Sequence, residues 1–285
     1  MIDLIQKRLE NYRPANPVEE EQAIREILQE IALYALWRAD FFEIAAFQGG
    51  TSLRVLHQLP RFSEDLDFML KSPATAFKWG DYLQPMRAVL REFGLQSEVL
   101  DRRRMDQAVR QAVRKDNSIG NQLNLRFQQG QQNRVLQIKL EIDVDPPNGS
   151  LFAYRYLDFP LDFEVCHQNL ASNLALKIHA LLCRPYIKGR DWYDFNWYVK
   201  QGVRPNLPHL QAALIQHGPW QGQPLTVDDA WLAKTLGEKI AAVDWSAAAT
   251  DVERFLNSAE RQSLKLWSTR FFNARLGQLQ SNAAS

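Results

Sequence analysis

The stretch FQGGTSLRVLHQLPRFSEDLDFML, residues 47–70, decides the reading of this chain. It opens at the end of a short apolar run, FFEIAAF (residues 41–47), which gives way to Gln48-Gly49-Gly50. Seven residues closed by glycines predict a buried strand. Residues Thr51 to Leu59 predict two turns of helix, stopped by Pro60. The segment SEDLDFML (63–70) then alternates, with Leu66, Phe68 and Leu70 on one parity and Asp65, Asp67 and Met69 on the other. That period predicts a strand with two carboxylates on the same side. Their repulsion must be offset, and Mg²⁺ does this well, being held by one or two carboxylates together with substrate phosphates. Glycines let a backbone approach a ligand closely, and the N–H groups of a helix start favour phosphate. A phosphate cradle facing a metal-binding strand outlines phosphoryl or nucleotidyl transfer. An Asp-x-Asp alone is weak, since the chain carries a second at Asp143-Val144-Asp145, and an exposed sheet edge is the bland alternative.

Upstream, Val18, Ile24, Ile27, Leu28, Ile31, Tyr34 and Ala35 recur at helical spacing between Pro17 and Trp37, with Asn16 as a start signal. Downstream, the pattern predicts a helix over 74–93 interrupted near Pro85, and strands near 95–100, 122–127, 135–144 and 159–166. A short helix is expected over 105–115. From Asn169 onward only helical segments follow, separated by proline- and glycine-rich breaks. The expectation is an α/β (α+β) fold, a mixed sheet flanked by helices over residues 1–167, and an all-helical region over residues 168–285.

The glycine pair with Thr51 and Ser52, the spacing of thirteen residues between Thr51 and Asp65, and the Asp65-x-Asp67 strand together resemble the nucleotidyltransferase superfamily with the DNA polymerase β-like fold. GGTSLR and RFSEDLDF are similar to the first two motifs of the AbiEii/AbiGii-type toxins. NLASNLALKIHALLCR, with Lys177, resembles the third motif, and KGRDWYDF, with Lys188, Arg190, Asp191 and Asp194, the fourth. The resemblance implies a metal-dependent nucleotidyltransferase toxin of a toxin–antitoxin, abortive-infection type system. It would use Mg²⁺ (or Mn²⁺) and an NTP, with an RNA acceptor, tRNA first, and a cognate antitoxin as partner. Non-catalytic nucleotide or RNA binding, transfer onto a protein, and an Asp-x-Asp glycosyltransferase are the rival readings.

Position by position, the resemblance assigns Asp65 and Asp67 to metal binding. A third carboxylate would come from RVLQIKLEIDVD, where Lys139, Glu141 and Asp143 share one parity; Glu141 is the first choice and Asp143 the second. Gly49, Gly50, Thr51 and Ser52 would hold phosphates, and Arg54, one turn on, would neutralise their charge. Lys177, in an otherwise apolar helix, would contact the triphosphate. Asp191 would be a catalytic or metal-proximal acid, and Asp194 a partner orienting Lys188 or Arg190.

Composition bounds the rest. With 285 residues, 46% hydrophobic and 24% charged, the chain can bury a core and is not of disordered type. The net charge of +1 sets no strong global field. Locally, residues 101–140 hold nine Lys/Arg against three Asp/Glu, including Arg102, Arg103, Arg104, Arg110, Arg114 and Lys115. Such a patch would attract RNA backbone, or would serve as a solvated face. Cys166 and Cys183 form no C-x-x-C, and the five histidines show no zinc-binding spacing. Two cysteines, the lack of a signal-peptide pattern and the lack of a long apolar span suit a cytoplasmic protein without membrane association.

Overall fold

The computed structural model describes residues 1–95, 97–102, 109–116, 123, 125, 127 and 136–281; of 97–102, 109–116, 136 and 137 the backbone alone is described. By packing, the chain forms two compact units. One comprises Met1–Gln58, Phe62–Pro146 and Ala153–His167, the other Leu59–Arg61, Pro147–Phe152 and Gln168–Ser285.

The first unit is built on a sheet of seven strands: β1 (Ala45–Gln48), β2 (Leu66–Leu70), β3 (Ser97–Arg102), β4 (Val109–Asp116), β5 (Leu136–Asp143), β6 (Phe152–Leu157) and β7 (Phe163–Gln168). Their order is β3-β4-β5-β2-β1-β7-β6. β1 pairs antiparallel with β2 and parallel with β7, while β2 pairs parallel with β5. β3, β4 and β5 pair antiparallel in turn. The register sets Phe47, Phe68 and Ile142 side by side on one face, all buried. Phe41, 5.0 Å from Phe68 edge to face, and Trp79 extend this apolar layer.

Helices α1 (Ile2–Tyr12), α2 (Pro17–Trp37), α3 (Phe41–Ile44), α4 (Gly49–His57) and α5 (Gly80–Glu92) belong to the same unit. α2 starts where the sequence says it should. The Asn16 side chain accepts from the N–H groups of Val18 and Glu19, both at 3.0 Å, and Pro17 occupies the first turn. From Glu26 to Leu36 every residue of α2 is buried, because α1, α5 and β5 all pack against it.

Several expectations need correction. FFEIAAF is not one strand: Phe41–Ile44 form a helical turn and β1 starts at Ala45. β2 begins at Leu66, so Asp65 precedes the strand rather than lying in it. The expected helix over 105–115 is, across 109–116, strand β4; pairing with β3 on one side and β5 on the other outweighs a weak helical pattern, and 105–108 lie outside the described residues. Leu123, Leu125 and Phe127 carry no strand, and the rest of 122–127 is outside the described residues. β7 starts at Phe163, beyond Pro160, and β6 was not anticipated because its exposed tyrosines mask the usual burial pattern. α5 starts at Gly80, not Ala74, and runs through Pro85, where only one backbone bond is lost.

The second unit contains α6 (Leu170–Cys183), α7 (Gly189–Lys200), α8 (Leu207–Gln216), α9 (Asp229–Ala242), α10 (Trp245–Glu253), α11 (Ser258–Ser263) and α12 (Thr269–Ser281). Asn169, Asn206, Asp228, Asp244 and Asn257 each cap a helix by accepting from backbone N–H groups in its first turn. Trp192, Trp245 and Phe272 fill the core between α7, α10 and α12, with Trp245 stacked on Phe272 at 4.1 Å. Gly189 is required there: a Cβ would lie 1.9 Å from the Ala248 carbonyl oxygen. Among the described residues no helix is long and apolar enough to cross a membrane.

Candidate functional site

In the first unit the β1–β2–β5 registers bring the acidic residues together. Gln48 faces Asp67, and Asp67 faces Glu141. In-register neighbours project from the same face, so the carboxylates of Asp67 and Glu141 share one side of the sheet. Asp143 faces Met69 instead, and its Oδ1 accepts from the Asp145 N–H at 3.0 Å. Asp65, just ahead of β2, is anchored through its backbone, whose carbonyl accepts a hydrogen bond from the Thr51 hydroxyl.

The turn from β1 into α4 closes directly on Asp67. Gly49 has φ +74°, and a Cβ there would sit 2.8 Å from Asp67 Oδ2. Only glycine meets both demands, the left-handed backbone and the contact. Gln48 makes no capping bond to α4; its amide donates to the Phe68 carbonyl at 3.1 Å. The hydroxyls expected to meet phosphate turn inward. Thr51 is tied to Asp65, and Ser52 Oγ donates to the Gly49 carbonyl at 2.8 Å. Arg54 is likewise engaged: its Nε donates to Glu26 at 2.7 Å and its guanidinium lies 4.4 Å from the centre of the Phe62 ring.

Among the described side chains, a cation stands beside the acidic residues. Lys139 ion-pairs with Glu141 along β5. Burial pulls its pKa down, but the Glu141 hydrogen bond and the charges of Glu141, Asp65 and Asp67 push it above the ordinary lysine value. Among the described residues, no group of three or more His, Cys, Asp or Glu side chains is arranged to hold a metal ion. The donor chemistry still fits Mg²⁺ or Mn²⁺: carboxylate oxygens are the hard ligands these ions take, and one or two suffice when phosphates complete the shell. Asp65, Asp67 and Glu141 are the residues that could supply them.

In the second unit Lys177, Asp191 and Asp194 meet in one buried network. Lys177 Nζ lies 2.8 Å from Asp191 and 2.9 Å from Asp194. Arg184 reaches the other Asp191 oxygen at 2.5 Å. Arg61 grips both oxygens of Asp194 at 2.6 Å, with side-chain exposures of 2% and 0%. Burial works against the charges of Lys177, Asp191 and Asp194, yet Lys177 and Arg184 hold the Asp191 carboxyl below the usual range, and Arg61 and Lys177 do so for Asp194. Lys177 is correspondingly raised, because Asp191 and Asp194 outweigh its burial. The partners of Asp194 are thus Arg61 and Lys177, not Lys188 or Arg190 as the sequence suggested.

Three members of these groups escaped the sequence reading as site residues: Arg61, Arg184 and Lys139. Arg61 stands inside RFSEDLDF, which was its only signal. Of the basic run, Arg103 and Arg104 lie outside the described residues, and only the backbones of Arg102, Arg110, Arg114 and Lys115 are described, in β3 and β4.

Residues 31–271 match the sequence profile of the family described as nucleotidyl transferase AbiEii toxin, type IV TA system. Among solved structures, JHP933 from Helicobacter pylori superposes with a TM-score of 0.55 at 15% identity, over 93% of this chain and 96% of that one. A presumed nucleotidyltransferase from H. pylori gives 0.50 at 14% identity, over 90% and 94%. These two establish likeness of fold. No curated protein matches the sequence.

Proposed function

Because the chain belongs to the AbiEii nucleotidyltransferase toxin family of type IV toxin–antitoxin systems, we propose that it moves a nucleoside monophosphate from an NTP onto an RNA acceptor, tRNA first. Membership also implies a partner antitoxin. The observation that carries the reading is the register of Asp67 against Glu141, with the Gly49 backbone pressed on the Asp67 carboxylate. Asp65, Asp67 and Glu141 would hold Mg²⁺ or Mn²⁺, which supplies charge stabilisation for the attacking and leaving oxygens.

The remaining work falls to this chain's own groups. The backbone N–H groups at the start of α4, from Gly49 to Ser52, offer donors to phosphate oxygens. The Thr51 and Ser52 hydroxyls hold Asp65 and the turn in place. An acceptor hydroxyl attacks the α-phosphorus, the bond to the β-phosphate breaks, and pyrophosphate leaves. The hydroxyl proton passes to a carboxylate of the acidic face, for which Glu141 is our choice. In the second unit, Lys177, Arg184 and Arg61 outnumber Asp191 and Asp194. That cationic surplus favours an anionic ligand, with Lys177 and Asp191 as the residues that would meet it. Arg54 on α4 pairs with Glu26 on α2 and so ties the two helices together.

The test is incubation of the purified protein with each labelled NTP, Mg²⁺ and total tRNA. Labelled RNA with pyrophosphate release is expected, and Asp65→Ala or Asp67→Ala should abolish both. Label in protein selects a protein acceptor. Nucleotide binding without pyrophosphate release refutes catalysis.

A further inference from the structure

Lys139 lies on the acidic face of the sheet, paired with Glu141. It precedes Glu141 by two positions on β5, so the two side chains share the face that Asp67 also uses. Leu66 faces Leu140 across the parallel pair. Asp65 and Lys139 are the residues immediately before these two. The Lys139 ammonium pairs with Glu141 and lies within the fields of Asp65 and Asp67. Asp67 and Glu141 stand side by side in register, with Asp65 just ahead of β2, and neighbouring carboxylates cannot all stay ionised cheaply without a counter-charge. Here that charge is built into the chain.

We propose that Lys139 is the resident counter-ion of this site, competing with a divalent cation for Glu141, Asp65 and Asp67 until a polyphosphate draws its ammonium away. The inference rests on the reading of these carboxylates as metal ligands. Its consequence is selectivity between free metal and metal accompanied by phosphate. A bare ion meets carboxylates already neutralised, whereas an ion arriving with a polyphosphate brings an anion to which Lys139 can turn. Lys139 therefore acts as a positioning residue on Glu141, and its role is separable from catalysis.

The experiment titrates metal-stripped full-length protein with Mn²⁺ in the absence of nucleotide, following free Mn²⁺ by electron paramagnetic resonance. Wild type, Lys139→Met, Lys139→Arg and Asp67→Asn are compared, with thermal melts to confirm folding. Lys139→Met should bind Mn²⁺ roughly tenfold or more tightly than wild type, since a unit charge a few ångströms from a divalent ion is worth at least that factor. Lys139→Arg should stay near wild type, because it keeps the charge. Asp67→Asn should bind weakly or not at all. Equal or weaker binding by a folded Lys139→Met overturns the proposal, even if nucleotidyl transfer by the wild type proceeds. Tighter binding by Lys139→Met with no transfer to any acceptor leaves the proposal standing and refutes the enzymatic reading instead. If neither wild type nor Lys139→Met binds Mn²⁺, the carboxylates are not metal ligands and both fail.

Discussion

Replacing Gly49 by alanine tests the contact on which the acidic site depends. At φ +74° an added Cβ strains the backbone by about 1–2 kcal/mol. It also meets Asp67 Oδ2 at 2.8 Å and Asp67 Cβ at 3.2 Å, so the aspartate must move. Overpacking of this kind costs about 1–3 kcal/mol. The expected loss in urea unfolding is therefore about 3 kcal/mol. A displacement of Asp67 on the order of 1 Å should also lower nucleotidyl transfer by about 10²-fold. Gly80→Ala is the control, because nothing lies within 4 Å of its added Cβ and its backbone is not left-handed. That variant should be neutral or stabilised by up to about 1 kcal/mol. If Gly49→Ala matched wild type in both unfolding midpoint and transfer rate, Gly49 would not be packing against Asp67 as described.

Arg61→Leu should cost about 3–5 kcal/mol in urea unfolding, since it strands the buried Asp194 carboxylate with Lys177 alone. Adding Asp194→Asn should recover part of that loss, and a single-variant cost below about 1 kcal/mol would contradict the buried pairing. His57 gives a pH prediction. Burial first, then His167 and Arg155, lowers its pKa to about 4. The folded state thus binds fewer protons than the unfolded one between about pH 6.5 and 4. Stability from this group is present above that window and is lost as pH falls through it, by about 2 kcal/mol after solvent screening. His57→Gln should flatten the stability curve across that window, and an NMR titration of wild type showing a midpoint near 6.5 would refute the shift.

The Gly49–Leu70 stretch was legible because its signals are local: a glycine pair, a proline stop and a two-residue period. The Asn16-Pro17 start of α2 was readable for the same reason, being complete within four residues. Register was not readable. The alternation along Ile138–Val144 puts Glu141 and Asp143 on one parity equally well, and only the β2–β5 pairing sets Glu141 opposite Asp67. Likewise Arg61 and Asp194 lie 133 positions apart, so neither side chain announces the other. The direction of the Thr51 and Ser52 hydroxyls depends on neighbouring carbonyls, which residue type alone does not specify. β4 defeated the periodicity because its basic and apolar residues suit a helix face as well as a strand paired on both sides.

Leu59–Arg61 belongs to the helical unit although the chain on either side of it belongs to the sheet unit. The two are therefore interleaved along the gene. A fragment starting at residue 168 would be synthesised without the guanidinium that holds both Asp194 oxygens, and its interior would leave that carboxylate to Lys177 alone. Complementation by a separately expressed N-terminal piece, or circular permutation that keeps 59–61 attached, is the workable way to dissect this protein; simple truncation is not.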